Sequence, residues 1–238
     1  NLRRRLRGYR NASRRKVHRK MRALVREAQT LEVRPLPTER EALLAENEII
    51  RTRRPAYNVD GTYTFLYPMI GLGTLGRQTL LGFTTTPSAW QMLRLRWFGA
   101  FRSRHRTRDT FDALETLLQM LGHPEPHSHL PRRPRLRGSH LRGFRRLEPP
   151  VLGAVEAYLC GTRDDALATL AEALLERPQA RRNAAGVQEA LATLDDFYGR
   201  EIVGLRDALR RAGRTETFVE QEDRDALFLS IEPQGIRP

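Results

Sequence analysis

The hydrophobic positions in the first part of the chain mostly follow helical spacing. Leu2, Leu6 and Tyr9 stand at i, i+4 and i+7, which predicts a helix at the start of the sequence. The same kind of spacing predicts a second helix over about 13–29. Residues 31–36 instead alternate apolar and charged side chains, which predicts a strand.

A third helix is predicted over about 38–52. Thr38 and Glu41 have the spacing of a capping box, in which the two side chains satisfy backbone N–H groups at a helix start. Pro55 forbids the helix from continuing, because proline lacks the backbone N–H and its ring collides with the preceding turn.

Beyond residue 60 the pattern changes to short extended runs. Residues 63–72 and 78–85 are predicted to form strands separated by a glycine-rich turn, and residues 109–121 are predicted to form a helix. Residues 122–150 are rich in Pro, Arg, His and Gly with little periodicity, and we interpret them as a linker or irregular loop.

The last third is predicted to be mainly helical. Amphipathic patterns cover 151–177 and about 184–212, which predicts an antiparallel helix pair joined around Pro178. Residues 219–231 are predicted to hold one more strand.

Charge is unevenly distributed along the chain. The net charge is +14, and residues 1–60 carry 17 Lys/Arg against 7 Asp/Glu, residues 61–150 carry 14 against 5, and residues 151–238 carry 11 against 16. A biased coding composition would explain many arginines, but not their concentration toward one end. The positive field over the first 150 residues suits a polyanion and predicts nucleic-acid binding.

Composition also narrows the class of protein. The sequence has no apolar run of about 18 residues and no signal-peptide pattern, so we expect no membrane contact and a cytoplasmic location. Cys160 is the single cysteine, which excludes an internal disulfide framework.

Glu46 is an anomalous residue of the third predicted helix. On a helical wheel, Ala42, Leu43, Ile49 and Ile50 form an apolar arc about 120° wide, with Glu46 in its middle. Because burying an unpaired charge is costly, this carboxylate must meet a cation, a hydrogen-bond network or a metal. A structural salt bridge and a functional site are both open at this point.

Arg5 and Tyr9 form a second candidate pair. At i and i+4 their side chains reach one patch of surface, where an arginine beside a phenol could hold a phosphate and a water. Tyr9 also completes the apolar stripe of the first helix, so packing is the stronger interpretation from spacing alone.

Two segments resemble the GIY-YIG nuclease domain of the UvrC family. The opening Asn1-Leu2-Arg3-Arg4-Arg5-Leu6-x-x-Tyr9 is similar to the family's N-L-x-x-R-L-x-x-Y. The stretch from Thr38 to Val59, which contains E-A-L-L-A-E-N and R-P-A-Y-N-V, is similar to the family's E-A-L-L-L-E-N-x-L-I-K-x-x-R-P-x-Y-N-V. The likeness extends over most of the chain, but only residues 1–10 and 38–59 match tightly.

The resemblance implies roles for four residues. It aligns Glu46 with the family's metal-binding glutamate, which implies one Mg²⁺ or Mn²⁺ ion bound mostly through oxygen and water. It aligns Arg5 with the catalytic arginine, Tyr9 with the tyrosine of the second helix and Asn58 with the asparagine of the second motif. DNA contact is expected from the basic residues nearby, which are Arg3, Arg4, Arg7, Arg10, Arg14, Arg15, Lys16, Arg19 and Lys20.

The fold implied by the resemblance is α+β. It comprises a truncated GIY-YIG nuclease domain (small antiparallel sheet with helices) over 1–60, a β-containing extension over 61–121, the linker over 122–150, a helical UVR-like region over 151–212 and a tail over 213–238. The family's opening hairpin, with its general-base tyrosine, would lie upstream of Asn1. Residues 1–238 alone are therefore expected to cut DNA poorly or not at all.

The chain departs from the family's pattern at its cysteines. Arg133-Pro134-Arg135-Leu136 stands where the family has R-P-C-L, the start of a four-cysteine region that holds an iron–sulfur cluster. Because these cysteines are absent, we expect no iron–sulfur cluster. Three histidines nearby, His123, His127 and His129, lack cysteine partners and are interpreted as solvated loop residues.

A second departure concerns the partner. Residues 184–194 resemble a degenerate UVR motif, in which Gln188 replaces the usual arginine. In the family this motif docks the helicase subunit UvrB. A UvrB-like partner bound through 151–212 is one interpretation. Simple helix packing by Ala185, Leu191 and Leu194 is the other.

The resemblance implies a DNA endonuclease of nucleotide excision repair, which incises a phosphodiester bond near a lesion with the help of a metal ion. The alternative is a catalytically lapsed DNA-binding relative, or an accessory domain of a larger nuclease. Both hypotheses use the basic first 150 residues to hold DNA.

Overall fold

A computed structural model describes residues 6, 7, 9, 19–37, 39–53, 67–163, 165–221, 223–224 and 227. The chain divides into two compact units, Asn1–Phe65 and Leu66–Pro238. In the described ranges, no helix has the length and apolar character that crossing a membrane requires.

In the described part of the first unit, helices cover Arg19–Glu27 (α1) and Glu39–Arg53 (α2). Leu6, Arg7 and Tyr9 are also helical. α1 falls inside the predicted helix at 13–29, and α2 agrees with the predicted helix at 38–52 to within one residue at each end.

The strand predicted at 31–36 is wrong. Residues 28–37 adopt neither helix nor strand, and Leu31 is 68% exposed. Alternation of side chains creates two faces, but a strand also needs a hydrogen-bonded neighbour and a core for its apolar face.

The second unit is built on a five-stranded antiparallel sheet with the order β3-β1-β2-β5-β4. The hairpin of β1 and β2 turns at Gly76, whose φ of +60° is readily adopted by glycine. The strand bounds are β1 (Met69–Leu75), β2 (Gln78–Thr84), β3 (Arg96–Gly99), β4 (His123–Pro124) and β5 (His140–Arg145).

The interpretation of residues 122–150 as a linker without regular structure is wrong. β4 and β5 come from this stretch, a 3₁₀ turn covers His127–His129, and β5 pairs with β2 along its whole length. Leu141 and Phe144 of β5 are fully buried. The two arginines and the single glycine of β5 hide its alternation, so the pattern of residues gave little indication of the strand.

Helices cover one face of the sheet. They are α3 (Arg104–Leu121), α4 (Pro149–Cys160), α5 (Ala166–Leu175), α6 (Pro178–Arg182), α7 (Ala184–Phe197) and α8 (Val203–Arg211), with a π-helical segment at Tyr198–Ile202. α3 starts earlier than predicted because Ser103 caps it, its Oγ accepting a hydrogen bond from the N–H of Arg106. The continuous helix predicted at 151–177 is interrupted at Gly161, which has a φ of +65° and ends α4.

The sheet separates two apolar clusters. The main cluster joins Ile70, Leu81 and Phe83 of the sheet to α3 and the helices beyond it. A smaller cluster on the other face contains Trp90, Trp97 and Leu141 among its members. The α+β class predicted from the sequence is therefore confirmed.

The segment after α8 returns to the sheet. Phe218 forms one parallel bridge to Gly99, and the N–H of Val219 donates to the carbonyl of Gly99 at 2.7 Å. Residues 223, 224 and 227 are helical, so the strand predicted over 219–231 is wrong at these positions; residues 228–231 lie outside the described part of the chain.

Candidate active site and basic surfaces

Glu46 lies in the middle of α2 and is half-buried. Ile50, one turn further along the same side of the helix, is buried to 3% exposure, whereas Ala42 and Ile49 are exposed. The predicted apolar arc is therefore only partly covered, and Glu46 stands next to its buried edge.

A divalent cation of the Mg²⁺ type fits the chemistry of this position. Carboxylate oxygen is the hard donor that Mg²⁺ prefers, and Mg²⁺ usually keeps several waters rather than requiring a cage of protein ligands. The described residues contain no group of three or more His, Cys, Asp or Glu side chains that could hold a metal ion together. One carboxylate with water and phosphate oxygens is the kind of site that Glu46 could provide.

Only part of the predicted site falls within the described residues. Arg7 and Tyr9 are both exposed, and Tyr9 has 38% of its surface accessible. Arg19 and Lys20 begin α1, but their side chains are outside the description. The other predicted site residues also lie outside it, namely Arg3, Arg4, Arg5, Arg10, Arg14, Arg15, Lys16 and Asn58. The pairing of Arg5 with Tyr9 stays a prediction.

α1 presents a basic surface. Its first turn contains no acidic residue, although negative side chains are the ones that a helix N-terminus favours. Arg22 and Arg26 are exposed, and Arg26 makes a long, solvent-exposed ion pair of 3.5 Å with Glu27. Such a pair contributes little free energy, so it does little to hold the guanidinium group of Arg26 in place.

A second group of basic residues, which the sequence prediction missed, surrounds the buried ring of Phe83. The guanidinium carbons of Arg104 and Arg108 lie 5.7 Å and 5.9 Å from the centre of that ring. The imidazole of His140 lies 6.1 Å from the same ring. α3 supplies the two arginines and β5 supplies the histidine, so tertiary structure brings them together.

The same group continues along β5 and into residues 131–138. Arg142 lies two residues after His140 on the same face of β5 and donates to Glu115 at 2.5 Å. Arg133 stacks over Trp90 at 5.5 Å, and the pKa of Arg133 is lowered by burial and by the charges of Arg142 and Arg135. We call Arg104, Arg108, Arg133, Arg135 and Arg142 the arginine cluster.

The pKa of His140 is affected by the positive charges of this cluster. Its pKa is lowered from 6.5 to about 4, first by burial and then by the charges of Arg108 and Arg142. Asp112 opposes this shift and Arg104 adds to it. At neutral pH the ring is therefore uncharged, although it lies among arginines.

His123 lies in β4, and His127 and His129 lie in the 3₁₀ turn that follows it. His129 lies 3.3 Å from the carboxylate of Glu125, whose side chain is 2% exposed and also bonds Arg145 at 2.5 Å. His123 and His127 are exposed. Cys160 packs half-buried against the main core, and burial raises the pKa of its thiol, as expected for a packed residue.

α7 contains the segment that resembles a UVR motif. Leu194 is fully buried and Leu191 packs partly buried against the main core, whereas Ala185 and Gln188 are exposed. Core packing thus accounts for the two leucines but not for Ala185.

A cleft between α3 and α7, with a volume of about 840 Å³, has an acidic lining. Asp109, Asp112, Glu189 and Asp196 contribute to it beside Arg106. The acidic side chains would repel a phosphate, so this cleft does not suit a polyanion.

Comparison with known proteins connects the first unit to one family. The family model of the UvrC-like GIY-YIG domain matches residues 1–59. A protein of Alkalilimnicola ehrlichii named UvrABC system protein C is 31% identical over 120 residues, which is 50% of this chain and 19% of that protein. A protein of the same name from Methylococcus capsulatus is 34% identical over 98 residues, 41% of this chain and 16% of that protein.

The matched region thus spans less than a fifth of the length of either relative. No solved structure shows significant similarity to the chain. Glu46 falls inside the matched domain, as do Arg5, Tyr9 and Asn58.

Proposed function

Because the chain belongs to the UvrC family of nucleotide excision repair nucleases, we propose that it takes part in metal-dependent incision of a DNA strand near a lesion. The observation that carries the proposal is the position of Glu46. A half-buried carboxylate on α2 lies within the segment that matches the UvrC-like GIY-YIG domain.

Hydrolysis of a phosphodiester bond requires an oriented water, neutralisation of phosphate charge and stabilisation of the leaving oxygen. A bound Mg²⁺ or Mn²⁺ ion would supply Lewis-acid stabilisation of the phosphate and the leaving oxygen. In the proposal, Glu46 holds that ion with its carboxylate oxygens. Its location beside buried Ile50 limits the solvent around the carboxylate, which strengthens its attraction for a cation.

Arg5, Tyr9 and Asn58 complete the proposed site on the strength of the family resemblance. Arg5 holds the scissile phosphate through two N–H donors, since a guanidinium matches the geometry of a phosphate. Tyr9 donates a hydrogen bond from its hydroxyl to the phosphate or to the attacking water. Asn58 braces the chain after α2.

The basic residues of the first unit hold the DNA in this proposal. Arg22 and Arg26 on α1 are exposed, and the first turn of that helix has no acidic side chain. Contacts of this kind with phosphates give affinity without sequence preference, which suits an enzyme that acts at lesions in any sequence.

The proposal includes a second protein subunit, because both relatives are named as components of a UvrABC system. The exposed side of α7, with Ala185 and Gln188, is the surface that we propose for it.

Nicking of lesion-containing DNA by the purified protein, in the presence of its UvrB-like partner subunit, tests the proposal. We expect Mg²⁺-dependent nicking by the full natural protein, and a loss of about 100-fold or more in Glu46→Gln. Glu48→Gln is the matched control, because Glu48 lies on the same helix, is exposed and carries the same charge. Nicking retained in Glu46→Gln would refute the role of Glu46, and DNA binding without nicking in the wild type would favour a lapsed DNA-binding relative.

A further inference from the structure

We propose that the arginine cluster of the second unit is a separate nucleic-acid-binding surface that contacts the phosphates of a single extended strand. The inference rests on the proposed function only in taking nucleic acid as the polyanion. It assigns the contact to residues of α3, β5 and 131–138, whereas the residues named for DNA contact from the sequence all lie within 3–20.

The charge pattern of the sequence supports an anionic ligand. Between Glu125 and Glu148 the chain has no acidic residue and seven arginines. On an ordinary solvated surface, positive and negative side chains alternate. The stretch is therefore unusual in a chain that has 28 acidic residues elsewhere.

The structure concentrates that charge further. Pairing of β5 with β2 sets His140 opposite Phe83, and α3 then brings Arg104 and Arg108 over the ring of Phe83. Two carboxylates meet the cluster through hydrogen bonds, Asp112 with Arg108 at 2.8 Å and Glu115 with Arg142 at 2.5 Å. These two bonds hold Arg108 and Arg142 in place beside the ring of Phe83 and along β5.

Repulsion between like charges affects the side chains of His140 and Arg133. Neighbouring arginines lower the pKa of His140 and the pKa of Arg133, in each case after the larger effect of burial. An anion bound among the arginines would relieve this repulsion, so the cluster favours a bound polyanion over the empty state.

Aromatic stacking prepares several guanidinium groups for binding. Arg108 lies 5.5 Å from the ring of Phe111 as well as near Phe83, and Arg133 stacks on Trp90. A stacked guanidinium has already lost part of its rotamer freedom, while a guanidinium carries five N–H donors in a fixed, planar arrangement. A phosphate would therefore meet oriented donors at a reduced entropic cost.

The distribution of the cluster favours an extended ligand over a small anion. Its members come from three separate segments of the chain, and Arg104 and Arg108 are spaced by one turn along α3. Exposed Arg135 lies in the segment between β4 and β5. A strand of nucleic acid, with a phosphate on every nucleotide, can contact such a series in succession.

Fluorescence anisotropy with a labelled single-stranded oligonucleotide tests the inference. The variant combines Arg104→Gln, Arg108→Gln and Arg135→Gln in the full natural protein. We expect its dissociation constant to rise about tenfold and the slope of log K against log salt to fall by about 2.

A matched variant controls for net charge. Arg181→Gln, Arg210→Gln and Arg211→Gln remove the same charge from exposed positions on α6 and α8, and we expect less than a twofold change. Equal loss of affinity in the two triple variants would overturn the inference. Competition by inorganic pyrophosphate as effective as competition by unlabelled oligonucleotide would also overturn it.

Two further measurements keep the test decisive. Arg135→Gln alone should weaken binding by about twofold to threefold, and this exposed position can be changed if the triple variant does not fold; unchanged affinity in this single variant would count against the cluster. The nicking assay on the same proteins separates the two proposals. If nicking is absent but the cluster variant loses affinity, the proposed function fails while the nucleic-acid surface stands.

Discussion

The side chain of Gln221 holds the backbone of Tyr67, 154 positions earlier in the chain. The N–H of Tyr67 donates to Oε1 of Gln221 at 2.9 Å, and Nε2 of Gln221 donates to the carbonyl of Tyr67 at 2.5 Å. Nε2 also lies 3.2 Å from the carbonyl of Thr85. Gln221 is 9% exposed, so water cannot easily replace these bonds.

Replacement of Gln221 should therefore destabilise the second unit. We expect Gln221→Ala to lower the free energy of unfolding by about 2 kcal/mol, because it leaves the partly buried N–H and carbonyl of Tyr67 without this partner. Urea denaturation followed by circular dichroism measures the change. Glu220→Ala, at the exposed neighbouring position, should change the free energy by less than about 0.5 kcal/mol; equal effects of the two substitutions would contradict the assigned role of Gln221.

Gly71 should not tolerate a side chain. A Cβ at this position of β1 would lie 2.6 Å from Cζ3 of Trp97, whose ring is packed in the smaller apolar cluster. We expect Gly71→Ala to lower the melting temperature and to cost about 2 kcal/mol of stability, because the buried ring must shift. The measurement is thermal unfolding.

Gly153→Ala is the matched control for that substitution. A Cβ at Gly153 of α4 meets nothing within 4 Å, and alanine favours helix over glycine by about 0.8 kcal/mol. Gly153→Ala should therefore raise the melting temperature. A fall in both variants would show that the packing around Gly71 is not the cause.

Stability should depend on pH through His140. The ring titrates at about 4 in the folded protein and near 6.5 when unfolded, so the unfolded state binds the proton more tightly. The contribution of neutral His140 is fully present above pH 6.5 and is lost as the pH falls from 6.5 toward 4.

Comparison with His140→Gln isolates this effect. Between pH 8 and pH 4.5 the wild type should lose about 1 kcal/mol more stability than the variant, a figure reduced because the ring is partly solvated. Chemical denaturation at several pH values measures the difference. Parallel pH profiles would contradict the lowered pKa of His140, which burial causes first and the charges of Arg108 and Arg142 second.

Metal binding should depend on Glu46 independently of any nuclease activity. We expect Glu46→Gln to weaken Mn²⁺ binding by about tenfold or more, because removing a direct ligand costs at least as much as removing a group that only orients one. Electron paramagnetic resonance of free Mn²⁺ in a titration gives the affinity. Glu48→Gln should bind as the wild type, and equal affinity in all three proteins would argue against the site.

Local signals account for much of the fold that the sequence predicted. The boundaries of α2 were predicted from Pro55 and from the helical spacing between it and Thr38. The β1–β2 hairpin was predicted from two extended runs separated by a glycine-rich turn. Both predictions depend only on residues that are close together in the sequence. The position of Glu46 on α2 was predicted for the same reason. The roles of Arg5 and Asn58 remain predictions, since both lie outside the described residues.

Tertiary structure alone decided the rest. β5 becomes a strand because β2, more than 50 residues earlier, gives its backbone a partner, whereas residues 31–36 alternate just as well and form no strand. The arginine cluster has the same origin: arginines of α3 reach His140 only because β2 and β5 pair and α3 packs on them. A sequence specifies spacing along the chain directly, but pairing between distant segments depends on which apolar faces find each other in the folded core.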